Sequence, residues 1–325
     1  MDLVRRHLRH ACAAAAAGAA LCLAAPATAA AAAPGRAQSS VPAVSGRLYG
    51  TAATSASDVW AVGLDPGGAL IMHWNGTAWS SSSRNDSGFL EGVAATSAGN
   101  AWSVGGTDWV SPATLIYHWD GSTWTRQASP NPGGGGFLNG VAAASASDAW
   151  AVGLIGGGPG AGTGPGDKTL IEHWDGAAWT QVASPTPAPA GALSRVAVVS
   201  PSDAWAVGWT GAGTTGNTFN ALIEHWDGTS WNVVPVPASI GTHIRLNSVT
   251  ATSASNAWAV GSTTTGPDYG VILHWNGTTW RKVTAHSPTG SLLGVSASSP
   301  SNTWAVGTTD YASTLIVHWN GTSWS

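Results

Sequence analysis

One pattern occurs six times along this 325-residue chain, and it limits the possible folds more than any other feature. Its first half reads SASDVWAVG from Ser55, SAGNAWSVG from Ser97, SASDAWAVG from Ser145, SPSDAWAVG from Ser200, SASNAWAVG from Ser253 and SPSNTWAVG from Ser299. Its second half reads HWNGTAW from His73, HWDGSTW from His118, HWDGAAW from His173, HWDGTSW from His225, HWNGTTW from His274 and HWNGTSW from His318. All of the 20 tryptophans except Trp109 and Trp209 fall on these positions. A unit of roughly 40 to 50 residues cannot bury its own apolar faces and must stack on neighbouring copies.

Each copy parses into four short strands. In the third copy they are GVAAAS from Gly140, DAWAVG, TLIEHW and AWTQVAS, joined by Ser-x-Ser-Asp and by Asp-Gly or Asn-Gly, the latter two strong hairpin signals. The unit is therefore a four-stranded antiparallel meander. Innermost strands carry small residues, as in Gly50-Thr51-Ala52-Ala53 and Gly294-Val295-Ser296-Ala297, while tryptophans supply volume further out, where blades fan apart. Stacking around an axis buries both faces of each unit and protects its edges, whereas a linear solenoid would need atypical end copies. The expected fold is all-β: a six-bladed β-propeller of four-stranded antiparallel blades, forming one domain over residues 47–325.

These repeats resemble those of secreted bacterial propellers of the kelch and galactose-oxidase central-domain kind, through S-x-S-D-x-W-A-V-G and H-W-D/N-G-x-x-W. The second half also resembles the Asp-box hairpin of sialidase-type propellers and the W-D/N-G-x-x-W hairpin of propeller lectins. The resemblance implies a fold; it does not carry an activity, because propellers host many. Sialidase chemistry needs an arginine cluster, and the arginines after the leader are scattered: Arg36, Arg47, Arg84, Arg126, Arg195, Arg245 and Arg281. Galactose-oxidase chemistry needs a cysteine-modified tyrosine, and Cys12 and Cys22, the only cysteines, both lie in the leader.

That leader is residues 1–29. A basic start with Arg5, Arg6 and Arg9, an alanine-rich apolar stretch and a small-residue site at Ala27-Thr28-Ala29 read as a secretory signal peptide. Secretion to the extracellular space is expected, with no membrane span after cleavage, and residues 30–46 form an N-terminal segment able to serve as a closing strand. Only 9% of residues are charged and the formal net charge is −4. Lys168 and Lys282 are the only lysines, so the counterion release that drives nucleic-acid binding has no source. A monomer without nucleic-acid partner, metal or other cofactor is expected.

Several constellations invite a chemical reading. The row His73, His118, His173, His225, His274 and His318 is spread around the ring and cannot converge on one metal; each histidine is expected to hydrogen-bond a neighbouring Ser or Asp and tie strands together. Glu172-His173 and Glu224-His225 point to opposite strand faces and read as incidental, not as acid–base pairs. Asp58, Asp148 and Asp203 interchange with Asn100, Asn256 and Asn302, which suits turn caps. The Asn-Gly-Thr triplets at Asn75, Asn276 and Asn320 match a glycosylation pattern, but their place as hairpin turns suffices to explain them. The glycine-rich run Gly156 to Gly162 lacks the helix and Lys-Ser/Thr of a phosphate loop.

The connections between first and second strands, and between third and fourth, hardly vary. Those between second and third strands and between repeats vary widely, so one face of the ring is constant and the other variable. The variable face carries Asp108, Trp109, Trp209, Phe219, Asp268, Tyr269, Asp310 and Tyr311, with His243 and Arg245 nearby. Aromatic rings beside carboxylates suit a sugar, and variable loops on a rigid scaffold commonly carry function. No catalytic residue is assigned. The expected function is an exported non-catalytic module binding carbohydrate or protein through this face, with a secreted glycan-active hydrolase or lyase, or a structural envelope scaffold, as alternatives.

Overall fold

Every repeat folds as an antiparallel meander, and the meanders stand around one axis as a β-propeller. The computed structural model describes residues 44–325 apart from 84–86, 109–111, 134, 157–165, 188–189, 212–218, 265–268, 284–288 and 310–312. Blade 1 comprises β1 (Arg47–Ser55), β2 (Asp58–Asp65), β3 (Gly68–Trp74) and β4 (Trp79–Ser83). Blade 2 comprises β5 (Phe89–Ser97), β6 (Asn100–Gly106), β7 (Thr114–Trp119) and β8 (Trp124–Arg126). Blade 3 comprises β9 (Gly136–Ser145), β10 (Asp148–Ile155), β11 (Lys168–Trp174) and β12 (Trp179–Val182). Blade 4 comprises β13 (Gly191–Ser200), β14 (Asp203–Thr210), β15 (Asn220–Trp226) and β16 (Trp231–Val233). Blade 5 comprises β17 (Ile244–Ser253), β18 (Asn256–Thr263), β19 (Gly270–Trp275) and β20 (Trp280–Lys282). Blade 6 has β21 (Ser291–Ser299), β22 (Asn302–Thr308) and β23 (Thr314–Trp319), with Trp324 and Ser325 pairing back onto Trp319 and His318 as its outer edge.

The hydrophobic core lies between blades. In the junction of blades 3 and 4, Trp150, Val152 and Ile171 of one blade meet Leu193, Val196, Leu222 and Trp231 of the next. Trp150 stacks on His173 of its own blade, tilts against Trp226 at 4.8 Å and meets Trp231 edge-on at 5.2 Å. The same triad recurs as Trp60 with Trp119 and Trp124, Trp102 with Trp174 and Trp179, Trp205 with Trp275 and Trp280, and Trp258 with Trp319 and Trp324. Edge-on and tilted contacts are what the ring quadrupoles favour. The repeated tryptophans are thus the mortar of five junctions.

The glycine ending each W-x-V-G motif has a steric reason. Every inner strand carries a β-bulge near its start, between Leu48 and Gly50, Leu90 and Gly92, Leu138 and Gly140, Leu193 and Arg195, Leu246 and Ser248, and Leu292 and Gly294. The bulge drives a carbonyl toward the facing strand. A Cβ on Gly153 would lie 1.8 Å from the Phe137 carbonyl oxygen, so no larger residue fits.

The sixth junction differs from the other five. Leu48 is 38% exposed, although its counterparts Leu90, Leu138, Leu193, Leu246 and Leu292 are fully buried. On blade 6, Ile316 is 61% exposed, Trp304 and Val306 are half-buried, and Trp304 stacks on His318 without a described contact to Trp74 or Trp79. Five junctions are packed alike, and among the described residues the faces of blades 1 and 6 that would form the sixth are more exposed. Of the N-terminal segment, Val44, Ser45 and Gly46 are described, and Val44 packs against Ala61, Leu70 and Met72 of blade 1.

Candidate functional site

One end of the ring is pinned by a single device used six times. His73, His118, His173, His225, His274 and His318 each place Nε2 2.7–2.8 Å from Oδ1 of Asp58, Asn100, Asp148, Asp203, Asn256 and Asn302, respectively. Either residue type offers a side-chain Oδ1 acceptor, so Nε2 donates and Asp and Asn interchange. The histidines are structural, as expected, but the Asp and Asn residues are their partners and not merely turn caps. At the same end, each third-strand indole donates to a turn carbonyl, as Trp174 Nε1 does to Ala146 O at 3.1 Å.

The Asp-Gly and Asn-Gly turns close this face. Asp120 Oδ1 accepts the backbone N–H groups of Ser122 and Thr123 at 2.8 Å, and Asn75 Oδ1 accepts those of Thr77 and Ala78. The following glycine sits in the left-handed region, with φ of 94° at Gly121. The N–H of Thr123, with the hydroxyl and N–H of Ser122, holds the Asp120 carboxyl well below the usual carboxylate range. The Thr229 hydroxyl, with the N–H groups of Ser230 and Thr229, does the same for Asp227.

Glu172 and Glu224 are not incidental. Both are fully buried, and they reach connections between blades: Ser129 Oγ donates to Glu172 Oε2 at 2.9 Å and Ser184 Oγ to Glu224 Oε2 at 3.1 Å. Burial pushes each carboxyl up to about 8, against the lowering effect of the serine hydroxyl. Held this way, neither faces a substrate.

At the other end, second–third loops and inter-blade connections lie side by side, as the Gly191 N–H to Asp167 O and Thr264 N–H to His243 O bonds show. Of the candidate residues there, Trp109, Asp268, Asp310 and Tyr311 lie outside the described residues. Asp108 is half-buried. Trp209 and Phe219 do not face solvent: they are 2% and 3% exposed, meet edge-on at 4.7 Å and form a core cluster with Phe89, Phe137 and Leu154. Trp209 belongs to β14, not to a loop, and Arg245 lies over both rings at 4.9 and 4.6 Å. These rings are occupied by a cation from their own chain. Tyr269 is 44% exposed and is the described candidate aromatic that a ligand can reach.

Beneath this face the bulges form a collar around the axis. The bulge residues are Tyr49, Glu91, Asn139, Ser194, Asn247 and Leu293, and the residues after them are Gly50, Gly92, Gly140, Arg195, Ser248 and Gly294. Asn139 and Asn247 donate to the Leu193 and Leu292 carbonyls of the following blade at 2.8 Å, and Val295 N–H donates to Ser248 Oγ. A cavity of about 150 Å³ is lined from all six blades, by Glu91 and Arg195 among others. Burial pushes the Glu91 carboxyl up to about 7, with Arg195 pulling the other way.

No protein-family model and no curated protein sequence matches this chain. Solved structures do match in shape. YCF48 bound to D1 peptide aligns at a TM-score of 0.55 with 15% identity, covering 88% of this chain and 83% of that one. The lectin of Aleuria aurantia in complex with α-methyl-L-fucoside aligns at 0.53 and 15% identity, covering 86% and 93%. The GH74 xyloglucanase of Xanthomonas campestris aligns at 0.57 and 15% identity, covering 86% of this chain but 45% of the enzyme. The likeness is one of fold.

Within that fold, sequence reading passed over Glu91 and Arg195. The signal was present: aligning the six inner strands on Leu-x-Gly sets Arg195 in the slot that four other blades fill with glycine. Among the described residues, no group of three or more His, Cys, Asp or Glu side chains could hold a metal ion.

Proposed function

We propose that this chain is an exported, non-catalytic binding module that recognises carbohydrate or protein through its variable loop face. The observation that carries this reading is the difference between the two ends of the ring. One end repeats the same His–Asp/Asn bond, indole bond and Asx turn in every blade, and the other differs in loop length and chemistry in every blade. A fixed end with a diversified end is how a scaffold presents recognition loops. The histidines, which tie strands within a blade, and the Glu172 and Glu224 carboxyls, which bond connections between blades, look like acid–base machinery in sequence but are consumed in holding the fold. Fold-sharing structures include a lectin complexed with a fucoside and a protein complexed with a peptide, which supports a ligand of either class without choosing between them.

The test is an array of glycans and extracellular proteins probed with the chain purified without residues 1–29. Tyr269→Ala and loop-exchange variants are then compared with the parent on any ligand found. At least one loop change should weaken binding about tenfold, equivalent to about 1.4 kcal/mol, at unchanged melting temperature. Turnover of a glycan by the purified chain, or binding insensitive to every loop change, would overturn the reading.

A further inference from the structure

The collar contains a half-buried charge that its hydrogen-bonding neighbours do not neutralise. Arg195 stands where Gly50, Gly92, Gly140 and Gly294 leave the channel open, and its side chain lies against blade 3, with Cδ 3.1 Å from where a Cβ of Gly140 would sit. Nη1 donates to the carbonyl of Asn139 and, at 2.8 Å, to that of Ser194. Two neutral acceptors fix the guanidinium in place without neutralising it. Neither acceptor is a carboxylate. A partly desolvated cation favours an anion beside it, and guanidinium N–H groups beyond those bound to carbonyls remain to pair with one.

Glu91 supplies a second group. It lines the same cavity from blade 2, is 8% exposed, and makes no hydrogen bond to a described residue. The corresponding side chains Asn139 and Asn247 are tied to the next blade, so the Glu91 carboxyl is the bulge-position group left facing the channel unbound. Burial pushes this carboxyl up to about 7, so below that pH it is chiefly a donor, and a donor beside a cation suits an anion. The cavity volume of about 150 Å³ admits a small molecule.

We propose that the collar is a binding site for a small carboxylate, held by the Arg195 guanidinium in the channel that Glu91 also lines. A planar carboxylate matches the guanidinium fork, which a neutral hydroxyl does not. The titratable or charged groups lining the channel with Glu91 are Arg195 and Tyr49. The site therefore weakens when Glu91 ionises, because its carboxylate then repels the ligand and competes for Arg195. This site is independent of the loop-face reading, since the described residues that line it belong to the inner strands.

Acetate is the probe and acetamide, of similar size and uncharged, its control, at constant ionic strength. Chemical shifts of the Gly92, Gly140 and Arg195 N–H groups are followed by NMR at about pH 5.5 and about pH 8.5, on either side of the Glu91 transition. Acetate should shift these signals saturably and acetamide should not, with affinity several-fold weaker at the higher pH. Arg195→Gly, which restores the residue that four other blades carry, should lower acetate affinity at least about tenfold without unfolding the chain. Glu91→Gln, a donor at every pH, should remove the pH dependence and retain binding. Acetate and acetamide acting alike, acetate binding unchanged in Arg195→Gly, or no saturable shift would each overturn the proposal. If Arg195→Gly lost its dispersed spectrum, Arg195→Lys, which keeps the charge but loses the fork, should still bind acetate more weakly.

Discussion

His173 Nε2 donates to Asp148 Oδ1 at 2.7 Å, while the other carboxylate oxygen of Asp148, Oδ2, is buried without a hydrogen-bond partner among the described residues. The reason lies four residues upstream. Thr54 donates to the second oxygen of Asp58, whereas Asn100, Asn256 and Asn302 donate their own Nδ2 to Thr96, Thr252 and Ser298. Blades 3 and 4 carry Ala144 and Val199 there, and both use Asp. The choice between Asp and Asn thus follows the hydroxyl: every Asn has one to donate to.

Two substitutions test this coupling. Ala144→Thr should stabilise the chain by about 0.5–1.5 kcal/mol by satisfying Oδ2, read by chemical denaturation. Asp148→Asn alone should cost about 1–3 kcal/mol, since its Nδ2 is left unpaired, and the double variant should recover most of the loss. Additivity of the two changes would show that the hydroxyl and the Asp–Asn choice are unconnected.

Stability should depend on pH with two opposite limbs. The Glu172 and Glu224 carboxyls are raised to about 8 in the fold from an ordinary value of 4.5. A raised acid binds more protons folded than unfolded, so its contribution is complete below about pH 4.5 and is lost as pH climbs through about 8. His118 is lowered from 6.5, first by burial and against the pull of Asp120, and His274 is lowered by burial. Their contribution is complete above 6.5 and lost as pH falls through their folded values. Glu172→Gln and Glu224→Gln should flatten the alkaline limb of a melting-temperature profile and leave the acid limb in place.

The open junction has an internal control. Ile272 and Ile316 occupy the same place in blades 5 and 6, at 3% and 61% exposure. Ile272→Thr should cost about 2 kcal/mol or more through lost apolar burial and a buried hydroxyl, while Ile316→Thr should cost well under 1 kcal/mol. Equal losses, measured by denaturant unfolding, would mean that blade 6 is covered in solution.

How much of this was legible follows from what repeats. The histidine row, the hairpin turns and the four-strand parse could be read because six copies show the same residues, and period-two alternation tells which side chains share a face. The collar could not be read that way. A bulge breaks the alternation at Glu91 and Ser194, so the facing of these residues and of Arg195 is set by a backbone irregularity that composition does not reveal. Glu172 and Glu224 were misread for a related reason. Their partners Ser129 and Ser184 lie 43 and 40 residues upstream, in connections between blades, and no local pattern links the two.

Trp209 was misplaced because it was judged by its absence from the repeat, and that yields the last prediction. The ring stands one residue beyond Gly208, where β14 continues to Thr210, and it fills the space between Phe219, the Arg245 guanidinium and the neighbouring blade. A side chain at 2% exposure in such a cluster holds the fold, so Trp209→Ala should cost about 3–5 kcal/mol through the cavity it leaves. Tyr269, at 44% exposure, should do the reverse: Tyr269→Ala should change stability by no more than about 0.5 kcal/mol. If the loop face binds ligand, the two variants separate cleanly. Trp209→Ala should lose melting temperature while its folded fraction keeps its affinity, and Tyr269→Ala should keep its melting temperature while losing affinity. A stable Trp209→Ala with weakened binding would return that ring to the ligand site.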